Sequence, residues 1–158
     1  GVPNAQALAV LAVAPPVPVM CAPALRNVAD RTTPLVRLAP YVHYLTMNAL
    51  EWAHVPEREA IRQVVPLVTI TDGARGSTML LGPVDVPIPA VPVDGPTETN
   101  RAGETYGATV FRALRAWCPD FPRGMTPALV ERAGRLAAQQ AARQLALRGF
   151  GFPPAEEY

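Results

Sequence analysis

Two histidines, one serine and two cysteines are the side chains with which the commonest kinds of catalysis would have to be done. His43 and His54 fall in a stretch that opens at Pro40 and carries Tyr41, Tyr44, Leu45, Asn48, Trp52 and Val55 at steps of three and four. That spacing predicts a helix. On an uninterrupted helix the two imidazoles would stand roughly 16 Å apart along the axis, too far to share a metal ion. Glu57 adds a carboxylate near His54, but no third ligand follows, so neither a metal nor a cofactor site is expected.

Nucleophilic chemistry is no better provided for. Ser77 is the sole serine and lacks the Gly-x-Ser-x-Gly context of a hydrolase nucleophile. Cys118 falls at a predicted helix end, where the dipole disfavours a thiolate. Asp72-Gly73-Ala74-Arg75-Gly76 is too short for a phosphate-binding loop and has no lysine, so it reads as a hairpin turn. The pairs Glu57/Glu59 and Glu156/Glu157 read as solvated. No catalytic residue is assigned, and the chain reads as a non-enzyme. The enzyme alternative ranks third, with a site built around His43, His54, Glu51 and Tyr44 should a helix bend gather them.

The remaining candidates are contact residues. Arg132, Arg135, Gln139 and Arg143 form a stripe along a predicted helix, suited to an acidic partner or to non-specific contact with a nucleic-acid backbone. Val84, Val86, Ile88, Val91 and Val93 alternate with prolines, and Phe150 and Phe152 stand among glycine and proline. Such apolar residues cost about 25 cal/mol for every Å² left in water, so they are expected to lie against their own domain or a neighbour.

The elements that must carry these residues are clearest in the last third. Tyr106, Val110, Phe111, Leu114, Trp117 and Cys118 recur at helical spacing. The run 119–124 breaks the pattern with two prolines and a glycine. Thr126 and Pro127 supply a cap and a first helical residue, and Gly149 and Gly151 stop the second helix. The expected core is therefore an αα-hairpin over 102–148. Residues 67–71 and 77–81 read as two strands around the turn at 72–76. The stretch 82–96 is too rich in proline for a central strand and reads as polyproline-like or as an edge that pairs on one side.

The expectation is a single α+β domain, mainly helical, with a small β-hairpin and extended proline-rich arms. Its parts are an N-terminal arm with short helices (1–39), helices (40–65), the hairpin and arm (67–96), the helical hairpin (102–148) and a tail (149–158).

Composition narrows the function classes. Apolar residues make up 49% and charged residues 17%, less charge than the usual quarter, which points to surface covered in an assembly. A net charge of +1 argues against a dedicated nucleic-acid binder. All fourteen basic residues are arginine, which we read as the codon bias of a GC-rich genome. The apolar segment 5–13 is far short of the ~18 residues that span a membrane, so no membrane contact is expected. Two cysteines make no disulfide scaffold and fit a reducing compartment.

With no catalytic constellation, the leading expectation is a structural, self-associating protein: a virion or capsid-shell component of a GC-rich virus, located in the virion or the cytoplasm. Its partners would be copies of itself or another structural protein. A small protein-binding adaptor of a GC-rich bacterium or phage is the second reading.

Overall fold

The computed structural model describes residues 2–94 and 102–149. Five strands form one sheet: β1 (Met20–Cys21), β2 (Tyr44–Asn48), β3 (Leu67–Thr71), β4 (Ser77–Leu81) and β5 (Val84–Ile88). They lie in sequence order across the sheet. The first three are parallel; β4 and β5 turn back as antiparallel neighbours. Among the described residues six α-helices surround the sheet: α1 (Asn4–Val13), α2 (Leu25–Val28), α3 (Ala49–Ala53), α4 (Arg58–Val64), α5 (Ala102–Trp117) and α6 (Pro127–Gly149).

The sheet is the middle of three layers. On one face Tyr44, Leu67, Met79, Val86 and Ile88 pack against Val110 and Leu114 of α5 and Val130, Ala133 and Ala137 of α6. On the other face Leu45, Met47, Val68 and Leu80 pack against Val28, Leu35, Leu38, Val55, Ile61 and Val65. Each fully buried valine or leucine contributes about 1.5–3 kcal/mol relative to exposure.

The helix expected from Pro40 onward is corrected to a strand followed by a short helix. Tyr44, Leu45, Thr46 and Met47 are all buried, because helices cover both faces of β2. A strand buried on both sides has no polar alternation, and a continuous apolar run matches a helical period by accident. Asn48 ends the strand and caps α3: its side chain accepts from Glu51 N at 2.8 Å, and Glu51 Oε2 accepts from Asn48 N at 2.9 Å.

This strand changes the fold class. The chain is not a helical α+β core with a small hairpin; it is an α/β sandwich around a mixed five-stranded sheet. The helical hairpin is present, as α5 and α6, but it is one layer of that sandwich. Over 84–88 the proline-rich stretch is not polyproline-like but an edge strand that pairs with β4 on one side. Pro87 is tolerated there because an edge strand leaves alternate N–H groups without a ladder partner. Among the described residues no helix is long and apolar enough to cross a membrane.

Candidate functional site

The three parallel strands end on the same edge of the sheet, at Cys21, Asn48 and Thr71. In open α/β sheets the crevice beyond the carboxyl ends of the strands is where ligands bind, because loops there are free to vary while the strands hold them. The turn 72–76 follows β3 at this edge. It is closed by Gly76 O accepting from Asp72 N at 2.8 Å and Asp72 O accepting from Arg75 N at 3.0 Å. Gly73 and Gly76 have φ of +54° and +92°, a region open to glycine at little cost. At Gly76 a β-carbon would also meet Ile88 O at 2.3 Å, so no other residue fits.

Helix α5 starts at the same edge. A β-carbon on Gly103 would lie 3.8 Å from Thr71 Oγ1, which puts the first turn of α5 beside the end of β3. Thr71 Oγ1 in turn donates to Met47 O at 3.4 Å, linking the ends of β2 and β3. Four residues on, Gly107 sits over Thr46, where a β-carbon would be 2.7 Å from Thr46 Cγ2. Gly107 lets the helix lie close on the sheet, and the N–H-bearing end of α5 lies at the crevice. That end of a helix favours anions, through its free N–H groups and its dipole.

Three carboxylates stand at this edge. Glu51 is engaged by Asn48. Asp72 accepts from Arg75 Nε and NH2 at 2.7 and 2.8 Å. These hydrogen bonds hold its carboxyl below the usual range. Glu104, exposed in the first turn of α5, has no hydrogen-bond or ion-pair partner among the described residues. It is the one of the three whose oxygens are open to a ligand's proton. Among the described residues no three His, Cys, Asp or Glu side chains gather as a metal site.

The residues expected to do chemistry lie elsewhere in the fold. His43 Nδ1 accepts from Val19 N at 3.0 Å, and burial pushes its pKa down. His54 Nδ1 lies 2.8 Å from Leu50 O, at the end of α3. Tyr44 is buried with its hydroxyl 3.0 Å from Thr69 Oγ1. His43, His54, Glu51 and Tyr44 each have a structural partner of their own.

Of the contact candidates, Val86 and Ile88 face the domain's own core, whereas Val84 and Val91 are exposed and Val93 is half-buried. Phe150 and Phe152 lie outside the described residues. Arg132, Arg135 and Arg143 are exposed on α6. Arg132 stacks over Trp117 at 4.2 Å, and Arg135 pairs with Glu131 at 2.8 Å.

Residue-by-residue reading missed Asn48, Thr71, Gly103 and Glu104. The turn 72–76 was legible as a turn, and its two glycines were the available signal. Nothing local ties Gly103 to Thr71 across 32 positions of chain.

No protein-family model and no curated protein sequence matches the chain. Solved structures do match. The nucleoside kinase of Burkholderia thailandensis, in complex with inosine, superposes with a TM-score of 0.67 at 21% identity, over 82% of this chain and 41% of that one. A nucleoside kinase of Methanocaldococcus jannaschii, an archaeal member of the ribokinase family, gives 0.67 at 19% identity, over 81% and 41%. The ribokinase of Thermotoga maritima gives 0.68 at 18% identity, over 92% and 48%. The chain thus spans less than half the length of these kinases, and at these identities the likeness is one of fold.

That likeness overturns the expected virion or capsid-shell component. The shared architecture is that of ribokinase-family kinases, which are enzymes, and not of a structural shell protein. The non-enzyme expectation and the virion location fall with it. The physical reason is that the absence of a local catalytic motif carried the shell reading, whereas an α/β sheet gathers the ends of elements distant in sequence at one edge.

Proposed function

We propose that this chain forms the nucleotide-facing part of a small-molecule kinase that transfers a phosphoryl group from a nucleoside triphosphate to a hydroxyl of a ribose-bearing acceptor. The observation that carries the reading is the meeting of Gly103 with Thr71 at the carboxyl edge of the parallel strands. It directs the N-terminal end of a helix of 16 residues at the place where an α/β sheet takes its ligand. The fold likeness supports the choice of ligand: one matched kinase structure holds ADP with inosine, and another holds aminoimidazole riboside with an ATP analogue.

In this reading the nucleotide phosphates lie against the first turn of α5 and the glycine turn 72–76. Positioning and electrostatic stabilisation then supply most of the rate, as is usual for phosphoryl transfer. The acceptor hydroxyl attacks the terminal phosphorus. The new O–P bond forms as the bond to the nucleoside diphosphate breaks, and the hydroxyl proton passes to the open carboxylate of Glu104.

The test is calorimetric titration of the protein with magnesium ATP and magnesium ADP, followed by assay of inosine and ribose for phosphorylation. Saturable one-site binding of both nucleotides and transfer to one acceptor are expected. A chain that takes up neither nucleotide would overturn the reading.

A further inference from the structure

Helix α5 touches both stems of the glycine turn, and it does so by different means. Thr71 and Ser77, the residues on either side of the turn, are cross-strand partners in the β3–β4 ladder. Thr71 lies beside Gly103, where an added β-carbon would be 3.8 Å from its Oγ1. Ser77 Oγ lies 2.7 Å from the hydroxyl of Tyr106, one turn further along the helix. Both hydroxyls are buried, with Ser77 8% and Tyr106 6% exposed. Burial also pushes the Tyr106 pKa up to about 12, so its proton stays in place near neutrality. On the other side of the turn, Gly76 is pressed against the backbone of Ile88 and Ala90. The turn is thereby held between β5 and α5.

We infer that the Tyr106–Ser77 hydroxyl pair is a positioning device that sets the glycine turn in register with the first turn of α5, and through that register sets nucleotide affinity. The inference rests on the kinase reading above. Apolar contacts alone would hold α5 on the sheet but leave it free to slide or rotate by fractions of an ångström. A buried O–H···O bond fixes both distance and direction. Displacements of that size matter to a site that binds through pre-placed N–H groups. Neither residue touches the ligand in this arrangement, so both act through the backbone they hold.

The test separates position from stability. Tyr106→Phe leaves a buried serine hydroxyl without its partner, which lowers stability. Tyr106→Phe/Ser77→Ala removes both hydroxyls, which restores much of that stability but not the register. We expect the double variant to recover most of the wild-type melting temperature yet bind magnesium ATP about tenfold more weakly, a factor within what misplacement of a site group costs. A double variant that melts and binds like the wild type would overturn the inference and leave the kinase reading standing. Failure of the wild type itself to bind magnesium ATP would overturn both.

Discussion

Gly107 of α5 rests on Thr46 of β2 so closely that a β-carbon there would sit 2.7 Å from Thr46 Cγ2 and 2.9 Å from Met20 Cε. Thr46 is buried and stiff at its branched β-carbon, so the helix must move if the glycine is filled. Gly107→Val is expected to lose about 1–3 kcal/mol through overpacking, or about 2–4 °C of melting temperature for each kcal/mol in a chain of this size. At Gly103 an added β-carbon meets Thr71 Oγ1 at 3.8 Å, an ordinary contact, so Gly103→Ala is expected to melt with the wild type. Calorimetric melting of the two variants side by side checks the pair. Equal melting would mean that α5 does not depend on its close seat over β2.

Glu104 is the carboxylate at the crevice that Arg75 and Asn48 leave open. If it accepts the acceptor's proton, Glu104→Gln keeps the size of the side chain and removes the base. Turnover should fall by about 10²–10⁴, the usual worth of a general base, while affinity for ATP changes little. Steady-state kinetics beside calorimetric binding reads both quantities. Unchanged turnover would remove Glu104 from the chemistry, and loss of ATP binding alone would make it a binding residue.

How much of this was legible in the sequence depended on how local each signal was. Helices α5 and α6 were readable because one face of each is apolar and Pro119, Pro122 and Pro127 mark their junction. The hairpin of β3 and β4 was readable because Gly73 and Gly76 punctuate a β-branched run, 67–71, and a mostly apolar one, 77–81. Strand β2 was not, since Tyr44 to Met47 are buried on both faces and a run without alternation has no period to read. The site was the least legible part. Asn48, Thr71 and Gly103 come together only once the parallel order of the sheet is known, and no window of the sequence contains two of them. Tyr106 was readable as part of a helix's apolar face and Ser77 as the start of a hairpin strand, but their shared hydrogen bond is a tertiary fact.

The amino-terminal helix is held by one buried asparagine. Asn4 Nδ2 donates to Asn27 O at 2.7 Å and to Thr33 O at 2.8 Å, and Asn4 Oδ1 accepts from Asn27 Nδ2 at 2.9 Å. Asn4→Ala leaves the carbonyls of Asn27 and Thr33 without their donor and costs the Asn27 amide one of its two acceptors, Val2 O at 2.9 Å being kept, at an expected cost of about 1–3 kcal/mol. Asn4→Asp should cost more, because a carboxylate has no N–H to offer and would face two carbonyl oxygens. Denaturant midpoints give the loss, and hydrogen exchange in α1 tells where it falls. Midpoints equal to the wild type's in both variants would show that the Asn4 side chain does not anchor α1.

His43 couples the same end of the sheet to pH. Its Nδ1 accepts from Val19 N at 3.0 Å, next to the short edge strand β1, and that bond requires an unprotonated Nδ1. Burial lowers the pKa of His43 from its ordinary value of 6.5. As the pH falls, the unfolded chain therefore takes up this proton before the folded one does. The contribution of His43 to stability is complete above pH 6.5 and is lost as the pH drops through the lower, folded value. Carboxylates titrate mostly below this window, near 4. Denaturant midpoints of the wild type should fall on going from neutral to mildly acid solution, and the amide of Val19 should lose exchange protection over the same range. His43→Gln keeps a side-chain acceptor for Val19 N and removes the titration, so its midpoint should be nearly flat there. A variant that follows the wild-type curve would assign the acid sensitivity to another group.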